Sequence, residues 1–417
     1  MHSRIHPQRQ RLNDEVHARP PEALLAPCEV AYVALIAGEA EQTALRQRVG
    51  DLAIASGAEP PPAEAKHYSA DLGAFRIKWE RHTEFARLTI TAESAPLDRL
   101  PAGFLEDLPG ELIVAARLSL RQSGPEVTVE ATVADVFAGE AVIGAEITGG
   151  KGIAMTDFRI RADGYTRFVV IDLGMTPRQA GRMVQRLLEI ETYRMLALLA
   201  LPIAQDLAPV LAAHELDLSR ITRALAEGQV DESAMLRGLT QLGAAVDSRK
   251  DESHFRFSAS RAYYDLVRQR IGELREERLA GLQTFQEFME RRLAPATSTT
   301  LSAAGRLDAL SERISRATAL LSTRVAVENE EQNHQILATM NRRAEMQLRL
   351  QQTVEGLSIT AITYYVVGLI GQVAKGLHEA GVHIVPEIVV AASVPLVLLA
   401  MAWVVARLRR HAAGKGD

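Results

Sequence analysis

The chain has 417 residues, 47% of them apolar and 5% aromatic, with a formal charge of −5, enough length for two or three domains. So even a charge balance argues against a nucleic-acid coat, which requires a basic excess or stripe. The single cysteine, Cys28, rules out an intrachain disulfide, suits a reducing compartment and reads as a small buried residue.

The first residues, "MHSRIHPQRQRLNDEVHARPPEALLAP", are polar and punctuated by proline. They lack the apolar core of a secretory signal, so the first domain is expected to stay inside the cell. From about Leu24 to Asp172 the chain carries strand signals rich in β-branched and aromatic residues: "EVAYVALIA", "FRIKWERHTEFARLTI", "ELIVAARLSLR", "EVTVEATVADV" and "DFRIRADGYTRFVVIDL". Gly- and Pro-rich turns such as "SGAEPPPAEA" and "ITGGKG" divide them. "EQTALRQRVGDLAIASG" has helical spacing. Residues 1–175 therefore read as an α+β cytoplasmic domain with a mostly antiparallel sheet.

At Thr176 the period changes. Thr176 is a good N-cap and Pro177 a good first helical residue. Met183, Leu187, Ile190 and Leu198 share a face, and residues 176–300 read as a helical region. "MLALLALPIA" (195–204) is too short to span a bilayer and reads as core. "RQRIGELREERLAGLQTFQEFMERRL" reads as one amphipathic helix that "APATSTT" interrupts. Arg306 to Glu355 then runs 50 residues without Gly or Pro. As one helix this stretch would be about 75 Å long, at ~1.5 Å per residue. Leu307, Leu310, Ile314, Ala317 and Leu321 follow coiled-coil spacing, which fails at "ENEEQNH" (328–334) and resumes with Ile336, Met340, Ala344 and Leu348. Residues 301–356 are thus a coiled-coil-like stalk.

Residues 357–406 are expected to form a transmembrane helical hairpin. Leu357 to Ala374 and Ile388 to Ala406 are 18 and 19 residues without a charge, close to the ~20 that cross a bilayer. Arg342, Arg343 and Arg349 precede the first span, and Arg407, Arg409, Arg410 and Lys415 follow the second. The loop between them offers only Lys375 against Glu379 and Glu387. Both termini are therefore predicted cytoplasmic, with 407–417 as a basic tail. On the first span Thr360, Tyr364, Gly368 and Gly371 or Gln372 share a face of small and hydroxyl residues suited to helix packing or to lining a pore.

Motifs for chemistry are weak. "GGKG" (149–152) lacks phosphate-loop spacing, and "HEAGVH" (378–383) has one residue too many for a zinc helix. The sequence names no cofactor. In "KWERHTEF", strand alternation puts Trp79, Arg81, Thr83 and Phe85 on one side and Glu80, His82 and Glu84 on the other. The latter three are either a solvated, salt-bridged face or ligands for a divalent cation. "RLNDEVHARPP" (11–21) gathers Asn13, Asp14, Glu15, His17 and Arg19, as a functional loop or a polar strap.

"NDEVHARPPEAL", "KWERHTEF", "GRMVQRLLEIETYRMLAL", "HFRFSASRAYYDLV" and "QLRLQQTVEGLSITAITYYVVGL" together resemble an uncharacterised bacterial family of predicted membrane-anchored proteins, domain of unknown function 3422. The resemblance spans nearly the whole chain. It implies a bacterial inner-membrane protein and brings no catalytic residues to transfer. In architecture the chain is also similar to CorA-type magnesium transporters, whose first span lines an oligomeric pore and is followed by Gly-Met-Asn. Here "GLIGQVAKGLHEAG" carries no such signature, which puts magnesium selectivity in question. Three functions follow as expectations: an oligomeric membrane-anchored scaffold or adaptor, a CorA-like cation channel, or a membrane-tethered enzyme. The expected partners are the lipid bilayer and further copies of the chain, with a divalent cation as a further candidate.

Overall fold

The computed structural model describes residues 6–10, 12–13, 21–94, 96–227, 231–381 and 383–413. Asp14, Glu15, His17 and Arg19 of the polar N-terminal motif lie outside them. The chain divides into two compact units, Met1–Ala319 and Leu320–Asp417.

The first unit is organised by a sheet. Its strands are β1 (Cys28–Ile36), β2 (His67–Asp71), β3 (Arg76–Arg81), β4 (Phe85–Ala92), β5 (Glu111–Gln122), β6 (Ile143–Ile147), β7 (Gly152–Thr156), β8 (Thr166–Asp172) and the short β9 (Glu277–Arg278). They lie in the order β2-β3-β4-β1-β5-β8-β7-β6-β9. Among the described residues only β5 and β8 pair in parallel, so the sheet is mostly antiparallel as expected. Alternation splits its side chains between two cores. Tyr32, Leu118, Phe168 and Val170 face helices α3 (Pro177–Leu198) and α5 (Glu232–Leu274) and the first turns of α6 (Phe285–Glu379). Val33, Trp79, Leu88 and Ile90 face the opposite side and helix α1 (Glu39–Ala55). Val169 and Ile171 share that second side with Phe137 of helix α2 (Val129–Phe137). The result is helices on both faces of the sheet. Each large side chain fully buried in these cores contributes about 1.5–3 kcal/mol.

Four local expectations are corrected. "EVTVEATVADV" is not a strand: Thr128 caps α2, its hydroxyl accepting from the Ala131 N–H, and this cap outweighs the β-branched composition. "KWERHTEF" is two strands, because β3 ends at Arg81 and a turn at 82–84 precedes β4. The helix read through 268–293 breaks at Arg275, whose left-handed φ of 51° ends α5. The break is stabilised at the next helix start. The Glu276 carboxylate accepts from the Phe285 and Gln286 N–H groups, and Thr284 accepts from the Glu287 N–H. Helix α6 then continues through Pro295, where "APATSTT" was expected to interrupt it. Thr297, Thr299 and Thr300 turn their hydroxyls back onto carbonyls one turn earlier.

Helix α4 (Ala200–Glu227) and α5 pack with the start of α6. Leu307, Leu310 and Ile314 are buried there, with Ile314 against Gly243 and Arg306 paired to Glu215 at 2.9 Å. This part of the predicted coiled-coil stripe is therefore spent inside the chain. In the second unit the rest of α6 is followed by a turn and helix α7 (Pro386–Ala413). Thr363 and Ala374 of α6 and Ser393 of α7 are buried, and Gly371 lies against Val390. The two apolar helices thus meet through small residues.

One close approach fixes how the chain enters the sheet. Residues Pro21 to Leu24 cross the start of α3, where the Leu24 N–H donates to the Pro177 carbonyl at 3.0 Å. A Cβ on Gly181 would stand 1.6 Å from the Glu22 carbonyl oxygen. Gly181→Ala should therefore displace the strap and lower stability by about 1–3 kcal/mol. Thermal denaturation of the purified chain checks this, and an unchanged midpoint would contradict the crossing.

Candidate functional site

Three of the segments that carry the family resemblance meet at one place. "KWERHTEF" supplies β3 and the turn into β4, "EIETYRM" lies on α3, and "HFRFSASRAYYDLV" lies on α5. Beneath α3 runs a chain of alternating charges. The register sets Glu80 opposite Arg87, and the Arg87 Nε donates to Glu80 at 2.6 Å. Lys78 stands 3.5 Å from the other Glu80 oxygen. Arg87 also donates to Glu189 of α3 at 3.0 Å. Glu189 in turn accepts from Gln185 and from Arg270 of α5, and Arg270 pairs with Glu273 at 3.0 Å. Glu80, Arg87 and Glu189 are all buried.

Burial alone would raise the Glu80 carboxyl, but Arg87 and Lys78 outweigh it and hold the group below the ordinary glutamate value. Glu189 behaves alike, with Arg87 and Arg270 overcoming its burial. Both stay ionised and engaged. The chain of charges pins α3 and α5 to the sheet and presents no free acid and base. A narrow cleft of about 40 Å³ adjoins it, lined among others by Lys78, Thr89, Thr91 and Gln185 and bounded by Glu22 of the strap.

His82 and Glu84 sit in the turn, beyond the reach of strand alternation. His82 stacks on Phe85 with ring centroids 4.2 Å apart. Glu84 accepts from Arg256 of α5 at 2.7 Å. Burial, then the hydrogen bond and charge of Glu84, push the Tyr263 phenol up and keep it protonated. Tyr263 stacks on Tyr193, and an open cleft is lined by His82, Phe85, Tyr193 and Tyr263 with Arg81 and Glu39 at its rim. Glu80, His82 and Glu84 are thus not brought together. Among the described residues no group of three or more His, Cys, Asp and Glu is placed to hold a metal ion. Burial, then Glu29 and Glu93, push the Cys28 thiol up to about 11, so it stays protonated.

The membrane-face residues line a second groove, in the other unit. Thr360, Tyr364, Gly368, Gly371 and Gln372 border it with Val390 of α7. They do not act alike. The Thr360 hydroxyl donates to the Gly356 carbonyl at 3.1 Å, and Gly371 faces α7. Tyr364 is 77% exposed, and space around Gly368 is open.

Arg87, Glu189, Arg270, Arg256 and Tyr263 escaped the sequence reading. Two signals for them were present. Glu189 is a carboxylate inside the largely apolar run "LLEI" (187–190), and a turn placed at "HTE" would have set Arg87 across from Glu80.

Fold and site define a sheet domain, stabilised by buried ion pairs, followed by long helices. Among the described residues, three helical stretches are long and apolar enough to cross a membrane: Pro177–Glu227, Phe285–Glu379 and Pro386–Arg407. The chain belongs to the family described as protein of unknown function (DUF3422), whose family model matches residues 4–412. No curated protein and no solved structure matches it.

Removing one member of a buried ion pair leaves its partner uncompensated, so Arg87→Met should cost about 3–5 kcal/mol. Denaturation followed by Trp79 fluorescence, with Trp403→Phe to isolate the signal, measures this. The pH dependence has a definite sign. Because Glu80 and Glu189 are held low when folded, the unfolded chain takes up more protons below about pH 4.3. Their stabilisation is present above that pH and is lost as pH falls through the folded values. Glu80→Gln should flatten this acid limb, and an unchanged limb would refute the assignment.

Proposed function

We propose that this is a membrane-anchored scaffold of the bacterial inner membrane. The apolar stretches 357–374 and 388–406 cross the bilayer as two spans, and the sheet domain and both chain ends lie on the cytoplasmic side. One observation carries the reading: the apolar segments at the end of α6 and in α7 are uncovered. Only 11% and 6% of their apolar windows are buried, against 33% for Pro177–Glu227, whose α3 lies on the sheet. Each large apolar side chain moved from water into hydrocarbon contributes about 1.5–3 kcal/mol, so a bilayer is the environment that suits this surface. Arginines before the first segment and after the second, against Lys375 alone in the turn, support the orientation. The engaged charge chain of the sheet domain supports a binding and display role over a catalytic one.

A second reading, a cation channel of CorA-type architecture, is favoured by the polar groups in the second groove, where Thr360, Thr363, Tyr364, Gln372 and Lys375 border a largely apolar space. It predicts cation flux in proteoliposomes that Gln372→Leu alters. Absence of flux under every ionic gradient leaves the scaffold.

The native cysteine is single, so the topology is directly measurable. In a Cys28→Ser background, a cysteine at Glu379 should react with an impermeant maleimide added to spheroplasts, and one at Lys415 only after lysis. The protein should also stay with membranes through alkaline carbonate extraction. Inverted labelling or release by carbonate would overturn the topology.

A further inference from the structure

The membrane-proximal part of α6 has two distinct faces. Ile359, Thr363, Val366, Ile370 and Ala374 follow three-and-four spacing and are buried or half-buried. This is the face toward α7. Off that face Ala361, Tyr365, Gly368, Gln372 and Lys375 keep the same alternation and are exposed, the last four at the edge of the groove shared with α7. Followed back along the helix, the alternation passes Ser358 and meets Val354, Gln351, Gln347, Ala344, Met340 and Leu337, in a stretch where every residue from 326 to 354 is exposed. Alternating three and four holds one face of a supercoiled helix, whereas the repeated fours of Ile336, Met340, Ala344 and Leu348 drift around it.

We infer that this second seam is where copies of the chain assemble, in a parallel bundle with the first apolar segment central and α7 outside. The inference rests on the membrane reading above and specifies the partner. The seam runs without a break from a stretch bearing Arg342, Arg343 and Arg349 into the apolar segment. Lipid could cover only its second part and a water-soluble partner only its first. A second copy carries the same repeat through both media, and a shared membrane orientation makes the two helices parallel. The chemistry of the seam agrees. Ala344, Ser358, Ala361 and Gly368 allow close backbone approach, and a Cβ at Gly368 would meet nothing within 4 Å. Gln372 carries an amide that hydrocarbon cannot satisfy and that a like helix in register satisfies by pairing amide to amide.

The test uses the full-length chain in native membranes, with Cys28→Ser and one new cysteine at a time. Under oxidation, Ala361→Cys, Gly368→Cys and Gln351→Cys should shift the protein to twice its mass or to a ladder. Ile362→Cys and Leu369→Cys, exposed but off the seam, should not. Equal linking on and off the seam, or none at the seam, overturns the inference while leaving the anchor intact if the protein still fractionates with membranes. If it does not fractionate with membranes, the anchoring reading fails instead. Gln347→Cys and Gln351→Cys, outside the apolar segment, then decide the seam by the same criterion.

Discussion

The constraint on which the rest depends is that an apolar helix must be covered by something. In the sheet domain the requirement is met internally: α3, α5 and the start of α6 close one face of the sheet and α1 and α2 the other. In the last hundred residues it is not met. There α6 and α7 cover only each other's small-residue seam, and the outward leucines, valines and tyrosines remain bare. In the proposed reading a bilayer and a second copy are complementary covers, one for the smooth apolar surface and one for the seam of small and polar residues.

The sheet domain solves a different problem. Its Lys78–Glu80–Arg87–Glu189–Arg270 chain, buried except at the half-buried Arg270, takes several charges out of water, which is expensive unless each is matched. Beyond the Lys78–Glu80 contact within β3, each link joins two elements: β3 to β4, β4 to α3, and α3 to α5. Hydrophobic packing alone would let α3 slide along the sheet, whereas directional ion pairs define one register. The neighbouring turn holds His82, Glu84 and Tyr263 in the same way, through stacking and an ion pair to Arg256. Three of the segments that carry the family resemblance therefore converge on the joint between sheet and helices.

Much of this was legible in the sequence where one signal dominated. Thr176-Pro177 announced α3, and its capping box with Gln179 forms as the residues imply. Strands β1 and β5 were plain from the apolar runs "VAYVALI" and "LIVAA". The misreadings share a cause: a local cap or turn overrode composition. Thr128 turned a Val-rich run into a helix, "HTE" turned one strand into two, and Glu276 with Thr284 separated two helices that periodicity had joined. For the site, alternation placed Glu80 opposite Trp79 but carried on through a turn, so His82 and Glu84 were assigned a face they do not share. Long-range partners such as Glu189 and Arg270 depend on how α3 and α5 lie on the sheet, which spacing within one segment does not encode. Likewise the 307–314 stripe matches coiled-coil spacing, yet α4 and α5 of the same chain take it up.

The central claim is that α6 is covered by lipid on part of its surface and by its own kind along one seam. The most direct measurement is the mass of the intact protein in lipid nanodiscs by native mass spectrometry. The account predicts an integral multiple of the chain mass, two or more. A single chain per nanodisc across all protein-to-lipid ratios would contradict it.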